Sequence, residues 1–212
     1  MKDIAIYGAG GFGREVLTLV EEVNRDRKEY NFIGFFDDGK KKGEVVNNYP
    51  VIGNVDVLNS WENPLSLIIA LGNPGIKRTV FEKIHNSNLS FPSLIHPSVL
   101  IGDSQRVKIE DGCIVCAGNI LTVNIVVHKF VILNLGCTVG HDTDIGEFSS
   151  FMPSVNISGD VVIGREVYVG TGAKIINQLS VGMGTVIGAG AVVTKSLPER
   201  CTAVGIPAKV IK

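Results

Sequence analysis

A six-residue period constrains this chain more than any other feature. Ile109, Val115, Leu121, Val127, Leu133, Val139, Ile145, Phe151, Ile157, Ile163, Val169, Ile175, Val181, Ile187 and Val193 are all apolar. A step of six fits neither a helix, which repeats every ~3.6 residues, nor a strand, which repeats every ~2. It fits a solenoid of short flat faces, each turning one aliphatic side chain into a narrow core. The next residue is often glycine (Gly140, Gly146, Gly164, Gly170, Gly182, Gly188), which is expected to let the chain turn there. The residue four after the aliphatic one is usually small or β-branched, as at Cys137, Thr143, Ser149, Val155, Ala173 and Ala191. Three faces make a coil of about eighteen residues, so the run predicts about five coils with room for one before them. The implied architecture is a triangular parallel β-helix.

Composition narrows the function. Net charge is −1 over 212 residues, which removes the electrostatic case for nucleic acid or an anionic membrane. Apolar content is 45%, glycine numbers 25 and the mean hydropathy is +0.27, as suits a β-rich solenoid rather than a disordered chain. No apolar run reaches membrane length, and the N-terminus reads as a strand rather than a signal peptide, so a cytoplasmic protein is expected. Cys113 and Cys116 form a CxxC. Cys113 and Cys137 both occupy the small-residue slot of the repeat, however, and no second pair has ligand spacing. They read as packing residues in a reducing compartment, with no metal expected.

Ahead of the repeat, Ile4 to Tyr7 reads as a buried strand, Gly8 to Gly13 matches GxGxxG, and Arg14 to Arg27 carries helical spacing. This strand–turn–helix context lets a backbone approach a phosphate. A second strand, Asn31 to Phe36, ends in Asp37 and Asp38, where a Rossmann-like unit holds a ribose hydroxyl. The competing reading of Asp37-Asp38-Gly39 is a plain turn. The segment Pro50 to Gly53 reads as a short extra element. Leu65 to Leu71 is another strand, turning at Gly72 and Asn73 toward a helix over Gly75 to Asn88. The division predicted is a Rossmann-like α/β half domain over 1–90 and a β-helix with a short tail over 91–212. Ninety residues are too few for both halves of a dinucleotide site, which favours a nucleotide-sugar over NAD. Ile95, Ile101 and Val107 keep the step of six in a register two residues off, so the first coil is expected to be irregular. Ser196 to Arg200 reads as a loop, and Val204 to Lys209 as a tail closing the solenoid.

Of four histidines, His141 stands out, in Gly140-His141-Asp142 at a coil turn. Residues eighteen apart should stack, which puts Gly159 next in the His141 column and aligns Pro153, Thr171 and Ala189 in another. A small floor beside an imidazole leaves room for a thin ligand such as a pantetheine arm. Histidine suits a general base at neutral pH, and a carboxylate beside it fixes its tautomer. Asp142 is the first candidate for that carboxylate and Asp144 the second. His85 and His96 read as surface and structural, and His128 as a residue lining a coil face.

These pieces together resemble the bacterial sugar acyltransferases of the sialic-acid O-acetyltransferase-like group, which includes the amino-sugar N-acetyltransferases of bacillosamine and perosamine synthesis. The resemblance rests on Gly8 to Gly13, Phe36-Asp37-Asp38, Ala70-Leu71-Gly72-Asn73, the hexapeptide run, Gly140-His141-Asp142 and Val204 to Lys209, and covers nearly the whole chain. It implies a left-handed β-helix, a homotrimer with active sites between neighbouring β-helices, and acetyl-CoA as donor to a nucleotide-sugar. It implies His141 as base and Asp142 as its helper. Asn134, Gly10, Gly11, Phe12, Asp37, Asp38 and Gly72 would contact the acceptor, and Ser150, Gly159, Thr171 and Ala189 the acetyl-CoA. Some members carry a histidine where this chain has Ser150. The rival readings are a sugar O-acetyltransferase and a non-catalytic trimeric scaffold that binds a nucleotide-sugar.

Overall fold

The computed structural model describes all 212 residues, in two compact units, Met1–Pro97 and Ser98–Lys212. The division falls after Pro97 rather than at residue 90. Leu94 is almost fully buried and lies next to the first helix, and Phe91 packs edge-on against Phe81 at 5.4 Å, so the connecting segment belongs to the first unit. No helix is long and apolar enough to cross a membrane.

The first unit is an α/β sheet. Its elements are β1 (Lys2–Tyr7), α1 (Gly11–Arg27), β2 (Tyr30–Phe36), β3 (Val45–Val46), β4 (Tyr49–Gly53), α2 (Val55–Asn59), β5 (Leu65–Ile69), α3 (Pro74–Lys83) and β6 (Leu89–Ser90). The strand order is β3-β4-β2-β1-β5-β6, parallel except for the β3–β4 pair. All five residues of β5 are buried, as a central parallel strand requires. The chain leaves β1 toward β2 on one side and returns to β5 on the other. The carboxyl edge beside β1 is therefore the switch point where such sheets bind ligands. α1 can pack close because residue 13 is glycine: a Cβ there would run into the Gly8 carbonyl. Its far end is tied to β2 by the Asn24 amide, which takes both the N–H and the C=O of Tyr30 at 2.8 Å.

The sequence predicted α3 to run to Asn88. It stops at Lys83, where Ile84 turns to an extended conformation. Beyond it, Asn86 donates to the Leu58 and Trp61 carbonyls and draws the chain away from the helix axis. His85 therefore sits past the helix, against Asn59. The element expected at Pro50 to Gly53 is β4, and α2 was not anticipated, five residues being too few for a periodic pattern.

The second unit is the left-handed β-helix. Its first face stacks Leu100–Ile101, Ile120–Leu121, Thr138–Val139, Asn156–Ile157, Lys174–Ile175 and Val192–Val193, six strands and so six coils. The second face runs from Val107–Ile109 to Ser180–Val181, and the third from Ile114–Val115 to Thr202–Val204. The inward aliphatics from Val115 to Val193 are at most 2% exposed. Burying each contributes about 1.5–3 kcal/mol. The first coil is irregular as expected, since Ile101 pairs with Leu121 and not with Asn119. Beyond Val193 the winding continues where a loop was expected. Leu197 bridges Val181, Val186 pairs with Thr202, and Lys209–Val210 folds back antiparallel on the last strand.

The corners differ from the sequence reading in one respect. The left-handed residue is the third after each aliphatic, every six positions from Gly112 to Gly190, and it is often not glycine: Asn124, Phe130, Asp142, Phe148, Ser154, Asp160, Glu166 and Gln178 all have φ between 55 and 62°. Bulky residues rarely adopt this conformation. At Phe130 and Phe148 the two rings stack at 5.1 Å, 8° from parallel, which offsets the backbone cost. The post-aliphatic glycines have ordinary φ, and their reason is contact. A Cβ on Gly140, Gly146, Gly164 or Gly170 would come within 2.5–2.6 Å of the next coil's backbone. The small-residue slots use their polar atoms on carbonyls across the core, as Ser149 does on Gly164 at 3.0 Å and the Cys113 thiol on His128 at 3.1 Å. All four cysteines are free and buried, and burial raises the Cys137 thiol to about 11.

Two neighbouring glycines therefore answer differently to substitution. Gly170→Ala should lower the urea-unfolding stability by about 1–3 kcal/mol through overpacking. Gly172→Asn, at φ +71° with open space around it, should change it by less than about 1 kcal/mol.

Candidate active site

The site around His141 is made by the coil ladder. The Asp142 N–H donates to the Val123 carbonyl at 3.1 Å, Asp160 N–H to His141 at 2.7 Å and Gln178 N–H to Gly159 at 3.1 Å. Each coil thus stacks on the last at eighteen residues, and Val123, His141, Gly159 and Asn177 form one column. The His141 ring covers Gly159: a Cβ on that glycine would fall against Nε2, closer than any real side chain could lie. The imidazole rests on bare backbone, at the edge of an open cleft of about 540 Å³ lined by His141, Asp142, Ser158, Gly159, Asp160, Asn177 and Gln178.

Asp142 is the left-handed corner residue, and that conformation turns its carboxylate back onto the preceding ring. Its Oδ2 accepts from His141 Nδ1 at 2.8 Å, and its Oδ1 accepts from Asn124 Nδ2 at 2.8 Å. These two hydrogen bonds, Asn124 first and His141 second, hold the carboxyl below the ordinary aspartate range. A carboxylate only accepts, so Nδ1 carries the proton and Nε2 presents its lone pair to the cleft. His141 is 62% exposed, as a group that must meet a substrate can be. The Gly159 N–H takes no part in the coil-to-coil ladder, where Ser158 and Asp160 donate on either side of it.

The expected fallback partner, Asp144, is elsewhere: its carboxylate lies 3.4 Å from His128 Nε2, while Glu110 lies 3.2 Å from Nδ1 of the same ring. His128 therefore sits at another corner between two carboxylates, away from the His141 cleft. The other expected contacts also fall apart within one chain. Thr171 and Ala189 are exposed at the corner between the third and first faces, while His141 and Gly159 occupy the corner between the first and second. Asn134 lies at the corner of Thr171 too, only 5% exposed, its Oδ1 taken by the Leu135 N–H at 2.7 Å. Ser150 is fully buried, so in one isolated chain neither a thioester nor a sugar reaches it.

The first unit brings its expected residues to one edge. Gly10 caps α1 with no side-chain hydrogen bond and no acid in the first turn, and neither Gly10 nor Gly11 has a heavy atom within 4 Å of a would-be Cβ. Gly11 is exposed and Phe12 half-buried beside it. Asp37 is bound by backbone amides, from Ala9 at 2.7 Å and Gly39 at 2.8 Å, which joins the loops after β1 and β2. Asp38 accepts from the Val55 N–H at 3.0 Å. The carboxylates thus join the loops after β1, β2 and β4 at the carboxyl edge of the sheet, as the turn reading expects. Gly72 follows β5, in the loop where a Cβ on Gly8 would touch the Ala70 carbonyl at 2.9 Å. Sequence reasoning took Tyr7 for plain core. Its phenol, 2% exposed, lies by these carboxylates, and burial first and Asp38 second push it far above its usual range, so it stays neutral.

Comparison with known proteins adds the following. The PglD N-terminal domain family matches residues 3–84. GDP-perosamine N-acetyltransferase of Escherichia coli O157:H7 is 30% identical over 185 residues, 87% of this chain and 82% of the relative. Among solved structures, the acetyltransferase domain of PglB from Neisseria gonorrhoeae FA1090, in complex with acetyl coenzyme A, superposes with a TM-score of 0.89 at 34% identity, over 99% of both chains. PerB from Caulobacter crescentus, in complex with CoA and GDP-perosamine, superposes at 0.88 and 26% identity, over 100% of this chain and 98% of the other.

The geometry carries two expectations. Gly159→Ala should push the imidazole off its floor and lower kcat/KM by about 10²-fold or more while leaving the unfolding midpoint nearly unchanged, because only a ring tip must move. Asp142, with its folded pKa depressed, lends stability that is full above the ordinary aspartate pKa of about 4 and lost as pH falls through the lower folded value. A carboxyl NMR titration should therefore place its midpoint below 3.8, and Asn124→Gly should raise it.

Proposed function

The chain belongs to the family of bacterial nucleotide-amino-sugar acetyltransferases, and on that premise we propose that it moves an acetyl group from acetyl-CoA directly onto the amine of a nucleotide-linked amino sugar. The observation that carries the reading is the His141 imidazole, its Nδ1 proton held by Asp142 and its Nε2 free above the bare backbone of Gly159. A thioester carbonyl would approach Nε2 from the open cleft, since the imidazole itself occupies the space over Gly159. The cleft walls supply carboxylate, hydroxyl and amide groups at Asp160, Ser158 and Asn177 for a polar acceptor.

In this mechanism Nε2 takes the proton from the acceptor nitrogen as that nitrogen forms its bond to the carbonyl carbon. Asp142 stabilises the imidazolium that results. The Gly159 N–H is available to the oxygen that gains charge at the carbonyl. The C–S bond then breaks, and the imidazolium returns its proton to the departing thiolate. No enzyme nucleophile is required. In the first unit, the uncapped α1 N-terminus with Gly10 and Gly11 suits a diphosphate, and the Asp37–Asp38 edge with Gly72 suits a nucleoside. Relatives named for GDP-perosamine N-acetylation and a neighbour holding acetyl coenzyme A support donor and acceptor class alike.

A homotrimer is part of the proposal. The expected donor contacts Thr171 and Ala189 occupy a different corner from His141, and a ring of three copies would set the corner of one chain against that of the next. A cytoplasmic location is part of the proposal too, and four free buried thiols suit that reducing compartment. The product would feed surface-glycan synthesis.

His141→Ala should lower kcat by about 10²–10⁴-fold with the trimer retained by light scattering. The assay is acetyl-CoA turnover across UDP- and GDP-amino sugars, with hydroxy-sugar analogues included because Ser150 replaces a histidine. Near-normal turnover in the variant sinks the base assignment, and transfer only to the hydroxy sugars sinks the amine acceptor.

A further inference from the structure

We propose that Asn124 is a positioning residue for the transfer, acting through Asp142 on the tautomer of His141. The proposal rests on the reading of His141 as the base. Asn124 contributes nothing to the core and is exposed, at the corner one coil before Asp142. Both residues are left-handed, at φ 55° and 57°, so their side chains leave the same edge of the solenoid in line. The alignment is what lets Nδ2 of Asn124 meet Oδ1 of Asp142 at 2.8 Å while Oδ2 of the same carboxylate meets the imidazole at 2.8 Å.

A carboxylate held by one oxygen can rotate about its Cβ–Cγ bond and change rotamer, above all when it is half exposed. One held by both oxygens has its plane fixed. Asn124 supplies the second hold, and it supplies it from a donor. An aspartate of the same shape would present an oxygen to an oxygen and drive Asp142 away. Asn124 is also the first cause of the lowered Asp142 pKa, as a donor hydrogen-bonded to the ionised carboxylate must be. The neutral imidazole then carries its proton on Nδ1 and keeps Nε2 unprotonated toward the cleft. Glycine tolerates the left-handed turn, which makes Asn124→Gly a deletion of the amide that leaves the backbone as it is.

The test is made on the full-length protein with ¹⁵N-labelled histidine, the His141 signals being assigned with His141→Gln. In the parent, the neutral imidazole should show one tautomer, protonated at Nδ1; in Asn124→Gly, a mixture of both. The kinetic arm uses acetyl-CoA with the amino-sugar nucleotide that turns over fastest in the panel. There Asn124→Gly should lower kcat by about 10- to 100-fold with both KM values within about twofold, as loss of a histidine-orienting partner does. Its effect should vanish in an Asp142→Asn background, since the path runs through that carboxylate. An unchanged tautomer in Asn124→Gly overturns the proposal, and so does a loss of kcat that persists undiminished in the Asp142→Asn background. A fully active His141→Ala would overturn the base reading instead, and the tautomer measurement tells the two failures apart because it needs no substrate.

Discussion

The parallel ladder between successive coils is the constraint on which the rest depends. Each strand is only two or three residues long, and none would persist alone. Stacked at eighteen residues, the strands find their backbone partners one coil away, and like positions lie above like positions. The core follows, because each aliphatic then meets others of its kind. So does the site. His141 rests on Gly159, and Asp142 reaches Asn124, because both relations are steps of one coil or of one residue.

The period was legible because core packing demands an aliphatic at every sixth place from Ile109 to Val193. The column logic that paired His141 with Gly159 came directly from it. What the sequence did not show is which residue turns the corner. Glycine is conspicuous after each aliphatic, yet it stands there because a neighbouring coil lies 2.5 Å from where a Cβ would be. The turn itself falls two places later, on residues as different as Asn124, Phe148 and Asp142. The composition of that column gives no signal, so the role of Asn124 was invisible. The C-terminal end was misread for a related reason: around Leu197 the winding keeps its ladder while losing its spacing, whereas the irregular coil at Ile101 was legible from its shifted register.

In the first unit, the glycine loop, Asp37–Asp38 and Gly72 were all readable as edge residues, since each follows a buried strand. Their hydrogen bonds were not. That Asp37 is held by the Ala9 and Gly39 amides depends on loop geometry, which no periodicity encodes. The placement of Asn134 and Ser150 likewise came from a family likeness, and an isolated chain keeps both out of the His141 cleft. The same chain leaves Thr171 and Ala189 exposed on another corner. Sequence columns describe neighbours along one solenoid and are silent about neighbours across two.

The left-handed corners have one more consequence. Backbone wedged against backbone at the post-aliphatic glycines allows no variation, while the corner residue three places after each aliphatic projects from a conformation that many side chains share. A coiled rod of this kind keeps its structural text and its chemical text in separate columns. Replacing letters in the second column, where Asn124 and Asp142 stand, can rewrite a reactive edge while the winding beneath is left as it was.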